Sequence, residues 1–174
     1  MPAYRMIISD MDNDTKQEPF RPMRRSRQQM TLEECIDLLQ KAPRGVLAVL
    51  GDKGYPYTIP LDFLYSDGHI YFHCAKEGHK LDAIRQYDKV SFCVLSEARK
   101  EPDSWWFHID SVVCFGRIQT VCDATRKDYI LRQLGAKYFP PDYDLEADMN
   151  RNAPNAHVLE LKIEHISGKR VKEK

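Results

Sequence analysis

The densest run of chemistry-bearing side chains is His73-Cys74-Ala75-Lys76-Glu77-Gly78-His79-Lys80, two lysines and two histidines against one glutamate. Ahead of it, Ile70, Phe72 and Cys74 alternate with His69, Tyr71 and His73, the period of a strand. Behind it, His79 to Arg85 forms a short helix with Leu81 and Ile84 facing inward. A helix N-terminus offers unpaired N–H groups to an anion, a lysine adds charge, and Gly78 lets the backbone approach a ligand. This is a cradle for one phosphate; a solvated basic turn is the plain alternative.

Other chemistries find less support. His69 and His73, four apart on a strand, stand about 13 Å apart and cannot share one zinc. His73, Cys74 and His79 have no zinc spacing either, so no metal is expected. His108, His157 and His165 sit singly in strand patterns. Ser104 and Ser111 lie in no nucleophile elbow, and no Walker or dinucleotide glycine motif occurs. Trp105-Trp106-Phe107 serves as packing or as a wall against a planar ligand. Cys35, Cys74, Cys93, Cys114 and Cys122 are odd in number, without a CxxC pair. They read as reduced thiols in apolar surroundings, Cys74 being the one with polar neighbours.

The elements that position these residues follow from periodicity. Thr31 and Glu34 fit a capping box, and Leu32, Cys35, Ile36 and Leu39 make one helical face that ends at Ala42-Pro43. Val46 to Leu50 reads as a strand buried on both faces. Beyond the Gly51–Gly54 turn, Tyr55, Tyr57, Ile59, Leu61, Phe63 and Tyr65 alternate along one long strand. Pro56 and Pro60 remove ladder donors and put it at an edge or bulge. Ser66-Asp67-Gly68 is a hairpin turn. Lys89 to Leu95 is a strand, and Trp105 to Cys122 is β-rich with breaks at Asp110 and Gly116. Asp123 caps a helix to about Tyr138, Phe139 to Asn155 is a loop, and Leu159 to Ile163 is a last strand, with Ser167-Gly168-Lys169 closing the fold. The expectation is a mainly β chain: an antiparallel barrel flanked by helices.

Composition bounds the partner. The 174 residues carry 26 Lys+Arg and 26 Asp+Glu, which argues against a general nucleic-acid binder but not against one small anion. Basic residues gather at Arg21, Arg24, Arg25 and Arg27 and again at Lys76–Lys80, and acids in the Asp142–Asp148 loop. The run at Arg21–Arg27 is either a solvated helix entry or a contact to an acidic cofactor or a neighbouring subunit. No stretch reaches the roughly 20 apolar residues of a membrane span, and the N-terminus is too polar for a secretory signal, so no membrane partner and a cytoplasmic location are expected.

Several ordered pieces resemble one family. Arg24-Arg25, the Thr31 helix, Gly45-Val46-Leu47-Ala48-Val49, Gly54-Tyr55-Pro56-Tyr57 with Ile59-Pro60, and Ile70-Tyr71-Phe72-His73-Cys74-Ala75 followed by Gly78 and Lys80 come first. Ser111-Val112-Val113, Phe115-Gly116 and Ser167-Gly168-Lys169 complete the set. Together they resemble the nitroimidazole-resistance (Nim-like) branch of the pyridoxamine 5′-phosphate oxidase-related proteins, over residues 21 to 170. A tail of residues 1–20 precedes that domain and a charged tail of 171–174 follows it.

The resemblance implies an FMN-binding split barrel, six-stranded, antiparallel and Greek-key, in a homodimer with FMN between subunits. It implies that Tyr57, Thr58, Ile59, Pro60 and Leu61 line the isoalloxazine. It places His73, Cys74, Ala75, Gly78, His79 and Lys80 around the ribityl phosphate, with Lys80 the main charge and Trp106 covering the ring from the partner subunit. Pyridoxamine phosphate oxidases proper carry an Arg-Lys pair where this chain has His79-Lys80, and their substrate-phosphate pattern near the C-terminus is missing here. The activity implied is an oxidoreductase passing electrons from a nicotinamide donor to a small planar acceptor such as a nitroimidazole, with His73 as proton donor or substrate contact. Flavin storage without turnover, and haem handling with a ligand such as His73, are the alternatives.

Overall fold

A computed structural model describes residues 20–100, 102–103 and 105–171. Of the expected N-terminal tail only Phe20 is included, and Ser104 and residues 172–174 lie outside the described residues.

Thr31 opens helix α1 (Leu32–Lys41) with the expected capping box: its hydroxyl accepts from the Glu34 N–H, and the Glu34 carboxylate accepts from the Thr31 N–H. Cys35 and Leu39 are its buried face. The strands are β1 (Arg44–Leu50), β2 (Pro56–Asp62), β3 (Leu64–Ser66), β4 (His69–Cys74), β5 (Lys89–Leu95), β6 (Arg99–Lys100), β7 (Phe107–Thr120) and β8 (His157–Val171). Helix α2 is His79–Gln86, α3 is Ala124–Tyr138 and α4 is Leu145–Asn152.

All strand pairings are antiparallel, in the order β2-β1-β5-β7-β8-β4-β3, with β6 on β7. The two ends of this order, β2 and β3, are separated in sequence by Phe63 alone. The sheet must therefore curl into a half-barrel whose ends approach at that residue. Phe63 is fully buried and, with Phe72, meets Phe92 edge-on at 4.9 and 5.1 Å. The C-terminal turn of α3 closes over the bend. The Tyr138 hydroxyl accepts from the Phe63 N–H at 2.8 Å, and Lys137 donates to the carbonyls of Ala42 and Phe63. These bonds satisfy the backbone groups that a broken strand leaves without a ladder partner.

The structure corrects several expectations. There are eight strands among the described residues, not six, because the long second strand breaks at Phe63 and a two-residue β6 forms. β1 is not buried on both faces: Leu47 and Val49 point into the core while Val46 and Leu50 are 40% and 44% exposed. Asp110 does not interrupt β7, since Arg170 holds its carboxylate with two hydrogen bonds; Gly116 marks only a bulge. There a Cβ would lie 2.0 Å from the Lys162 carbonyl oxygen. Ser167-Gly168-Lys169 does not close the fold, because β8 runs on to Val171. The Phe139–Asn155 stretch contains α4, which Asp144 caps by accepting from the Ala147 N–H; Met149 is its one buried residue, too little to leave a periodic signal.

Candidate functional site

The chemistry-bearing turn lies between β4 and α2. At Gly78 the backbone takes φ +129° and ψ 165°, a conformation essentially reserved for glycine. A Cβ there would meet nothing within 4 Å, so the glycine serves the bend and leaves open space before it. Among the described residues no side chain caps α2; the Leu81 N–H donates to the Gly78 carbonyl at 2.9 Å, which leaves the His79 and Lys80 N–H groups without a backbone partner. Lys80 adds charge to this end: it acts on the Cys74 thiol, partly offsetting burial, which pushes that thiol up. Ala75, Lys76, Glu77, Gly78 and His79 are exposed, and Lys80 is half-buried. Open space, free N–H groups and a cation are the donor set of a phosphate site.

β2 reaches this turn through Tyr57. Its ring stacks on the His79 imidazole, centroids 4.3 Å apart and 16° from parallel. His79 Nε2 also lies 3.6 Å from the Asp52 carboxylate, and Gly51 leaves room for the pair, since a Cβ there would sit 2.9 Å from the Tyr57 Cβ. The sequence gives no warning of this contact, because 22 residues separate the two rings.

The expected ring-lining residues divide by strand alternation. Tyr57, Ile59 and Leu61 point inward and pack on the core, while Thr58 and Pro60 are exposed on the outer face. There Thr58 stands opposite Ala48, and Pro60 opposite Val46. Among the described residues β2 pairs with β1 only, which leaves its other edge unpaired and accommodates both prolines.

His73 and Cys74 also leave their strand in opposite directions. Cys74 packs on the core side, whereas His73 is exposed on the face that carries His69 and Tyr71. Trp106 is not brought to the turn within one chain. Register places Thr58, the neighbour of Tyr57, level with Phe115, eight residues along β7 from Phe107, the residue after Trp106, and so up to about 26 Å from it. Trp106 instead stacks on Trp105, at 4.0 Å between centroids.

Sequence reasoning missed a buried polar cluster on that same β4 face. Glu160, only 4% exposed, accepts from the Tyr71 hydroxyl, from Gln119 Nε2 at 3.0 Å and from Arg126, with His69 at 3.8 Å. Burial alone would raise its pKa; the hydrogen bonds from Gln119 and Tyr71 and the nearby charges of Arg126 and His69 outweigh this and hold it below the usual carboxylate range. The cluster pins α3 across β4 and β8, and with them the strand that carries His73. Asp123, which caps α3 by accepting from the Arg126 N–H, is the one signal in the sequence that places Arg126 at a helix start.

Among the described residues no group of three metal-ligating side chains forms, and no helix is long and apolar enough to cross a membrane.

Comparison with known proteins adds three findings. The pyridoxamine 5′-phosphate oxidase family model matches residues 31–170. No curated protein matches the chain. Several solved structures share the fold. One is a 5-nitroimidazole antibiotic resistance protein from Bacteroides thetaiotaomicron (16% identity, TM-score 0.70, covering 83% of this chain and 90% of that one). Another is an FAD-binding protein from Mesorhizobium loti (24%, 0.61, 83% and 97%). A third is an FAD and heme binding protein from Mycobacterium smegmatis (20%, 0.67, 84% and 74%).

Proposed function

Because the chain belongs to the pyridoxamine 5′-phosphate oxidase family, we propose that it is an FMN-binding oxidoreductase, passing electrons from a nicotinamide donor to a small planar acceptor such as a nitroimidazole. The observation that carries this reading is the turn at Gly78: open space faced by the His79 and Lys80 N–H groups that open α2, with the Lys80 side chain alongside. The likeness to flavin-binding structures supports a flavin in general, and a turn built for one phosphate favours FMN.

When bound, the flavin supplies the electron transfer; the chain supplies binding, orientation and proton handling. In this reading Lys80, Gly78 and His79 hold the phosphate, with Cys74 and Ala75 beside the ribityl chain. Thr58 and Pro60 face the ring from the outer side of β2, and the backbone of Tyr57, Ile59 and Leu61 lines its edge. His73, exposed at the end of β4, is the proton donor or substrate contact, imidazole being the side chain that exchanges protons near neutrality.

The reading includes a homodimer in the cytoplasm. Pro60, Val46, Cys93 and Val113 are successive cross-strand neighbours on the outer face, and Leu95 nearby is 60% exposed. A second copy packed there would place the β2 residues in a cleft between subunits and give its own Trp106 access to the ring.

The experiment is a visible spectrum of the purified protein, release of any bound flavin for mass analysis, and anaerobic addition of NADH or NADPH. A flavin spectrum that bleaches with a donor is expected. A flavin that neither donor bleaches would favour storage over turnover, and a Soret band would favour haem handling.

A further inference from the structure

The His79 ring is fixed in place while both of its nitrogens stay unused. It lies flat on Tyr57, and Nε2 stands 3.6 Å from the Asp52 carboxylate, within ion-pair range but beyond a hydrogen bond. A Cβ on Gly51 would come within 3.3 Å of Nε2, so the ring is seated closely on the turn between β1 and β2. Among the described residues neither ring nitrogen takes part in a hydrogen bond. The side chain is 42% exposed. Such an imidazole gains or loses its proton without rearranging the fold around it.

Its position gives that proton a consequence. His79 follows Gly78 directly, and its own N–H is one of the two that open α2 onto the empty space of the turn. A charge one residue from Gly78 acts on an anion held there whether or not the two touch. Among the described residues Asp52 is the one carboxylate within 4 Å of the ring. It favours the imidazolium, and it opposes an anion in the turn once the ring is neutral.

The other charged groups on the surrounding elements do not behave this way. The turn between β1 and β2 adds Lys53, β2 adds the Tyr57 phenol, and β1 adds no charge from Val46 to Gly51. The turn before α2 adds Lys76 and Glu77, and α2 itself adds Lys80 and Asp82. Carboxylates, ammonium groups and phenols as classes keep one charge state from about pH 6.5 to about pH 8.5, and a phosphate monoester is mainly dianionic there. Burial pushes the Cys74 thiol up, which keeps it neutral in that window. Imidazole alone changes charge. That leaves His79, the exposed His73 at the end of β4, and His157, opposite Cys74 on β8.

We propose that His79 makes retention of the cofactor depend on pH. As imidazolium it holds the phosphate together with Lys80; as neutral imidazole it gives up that hold. Binding of the anion favours the protonated ring, so FMN affinity is highest at the acid end of the window and falls as pH rises through the imidazole range. The inference rests on the FMN reading of the Gly78 turn and adds to it a regulation by pH.

The test is a fluorescence titration of FMN into the full-length protein at about pH 6.5 and about pH 8.5, with riboflavin, which lacks the phosphate, as a parallel arm. FMN affinity should fall about tenfold between the two, the effect of losing one charged partner of the phosphate, and riboflavin affinity should not. His79→Arg keeps a permanent cation that can stack on Tyr57, and should bind FMN alike at both values. His79→Gln should bind at both as weakly as the parent does at the higher pH. His73→Gln and His157→Gln should each keep the fall. Equal FMN affinity of the parent at both values overturns the inference and leaves the FMN reading standing. So does a fall that riboflavin shares, that persists in His79→Arg, or that vanishes in His73→Gln or His157→Gln. A parent that takes up no FMN at either value overturns the FMN reading, and this inference with it.

Discussion

The Tyr57 ring lies flat on the His79 imidazole, 4.3 Å between centroids, and so ties the edge strand β2 to the first residue of α2. This one contact links the strand expected to face the flavin ring with the turn expected to hold its phosphate. Aromatic pairs contribute about 0.5–1.5 kcal/mol beyond burial. A double-mutant cycle of Tyr57→Leu and His79→Ala, read from urea midpoints, should return a coupling energy in that range; independent, additive effects would show that the stack fixes nothing.

Gly78→Ala forces a side chain into a backbone conformation that costs about 1–3 kcal/mol. Nothing clashes with the new methyl group, so the whole loss is conformational. The urea midpoint should fall with an unchanged m-value, or the turn should reshape and FMN affinity fall with it. A variant matching the parent in both stability and FMN affinity would contradict the role given to Gly78.

Glu160 gives the protein an acid-sensitive joint. Its folded pKa is depressed, so its contribution is present above the unfolded value of 4.5 and lost as pH falls through the folded value. Glu160→Gln should lose stability at neutral pH and show a flatter decline on acidification. Equal acid slopes for parent and variant in thermal melts would refute the assignment.

The thiols should separate by burial. Burial pushes Cys114 up to about 12 and Cys35 to about 11, so neither forms the reactive thiolate at mildly alkaline pH. Cys122 is exposed. A disulfide reagent should label Cys122 first, with Cys35 and Cys114 reacting only on unfolding. Because their folded values are raised, these two thiols contribute stability that is present below the unfolded value of 9.0 and fades as pH rises toward the folded values.

Local signals in the sequence are legible where one residue decides the geometry. Thr31 and Asp123 cap their helices as their types and spacing require, and Asp67 and Gly68 adopt positive φ in the hairpin turn. Long-range outcomes were not legible. Apolar residues from Val46 to Leu50 look alike whether a face meets the core or is left exposed. The break at Phe63 follows from sheet closure, which no local period records. Glu160 reads as a surface residue of an alternating strand until Arg126, Tyr71 and Gln119 converge on it from three other elements. Of the expected site residues, those on the turn are neighbours by sequence alone, and the approach of Tyr57 to them needed the fold.

The most direct test of the central claim is a fluorescence titration of FMN against the parent protein and Lys80→Ala. Loss of a charged hydrogen bond to phosphate should weaken binding by tenfold or more, about 1.4 kcal/mol. Tight FMN binding by the parent with that loss in Lys80→Ala is the expected result. A parent that takes up no FMN, or a Lys80→Ala variant that binds it equally well, would contradict the account.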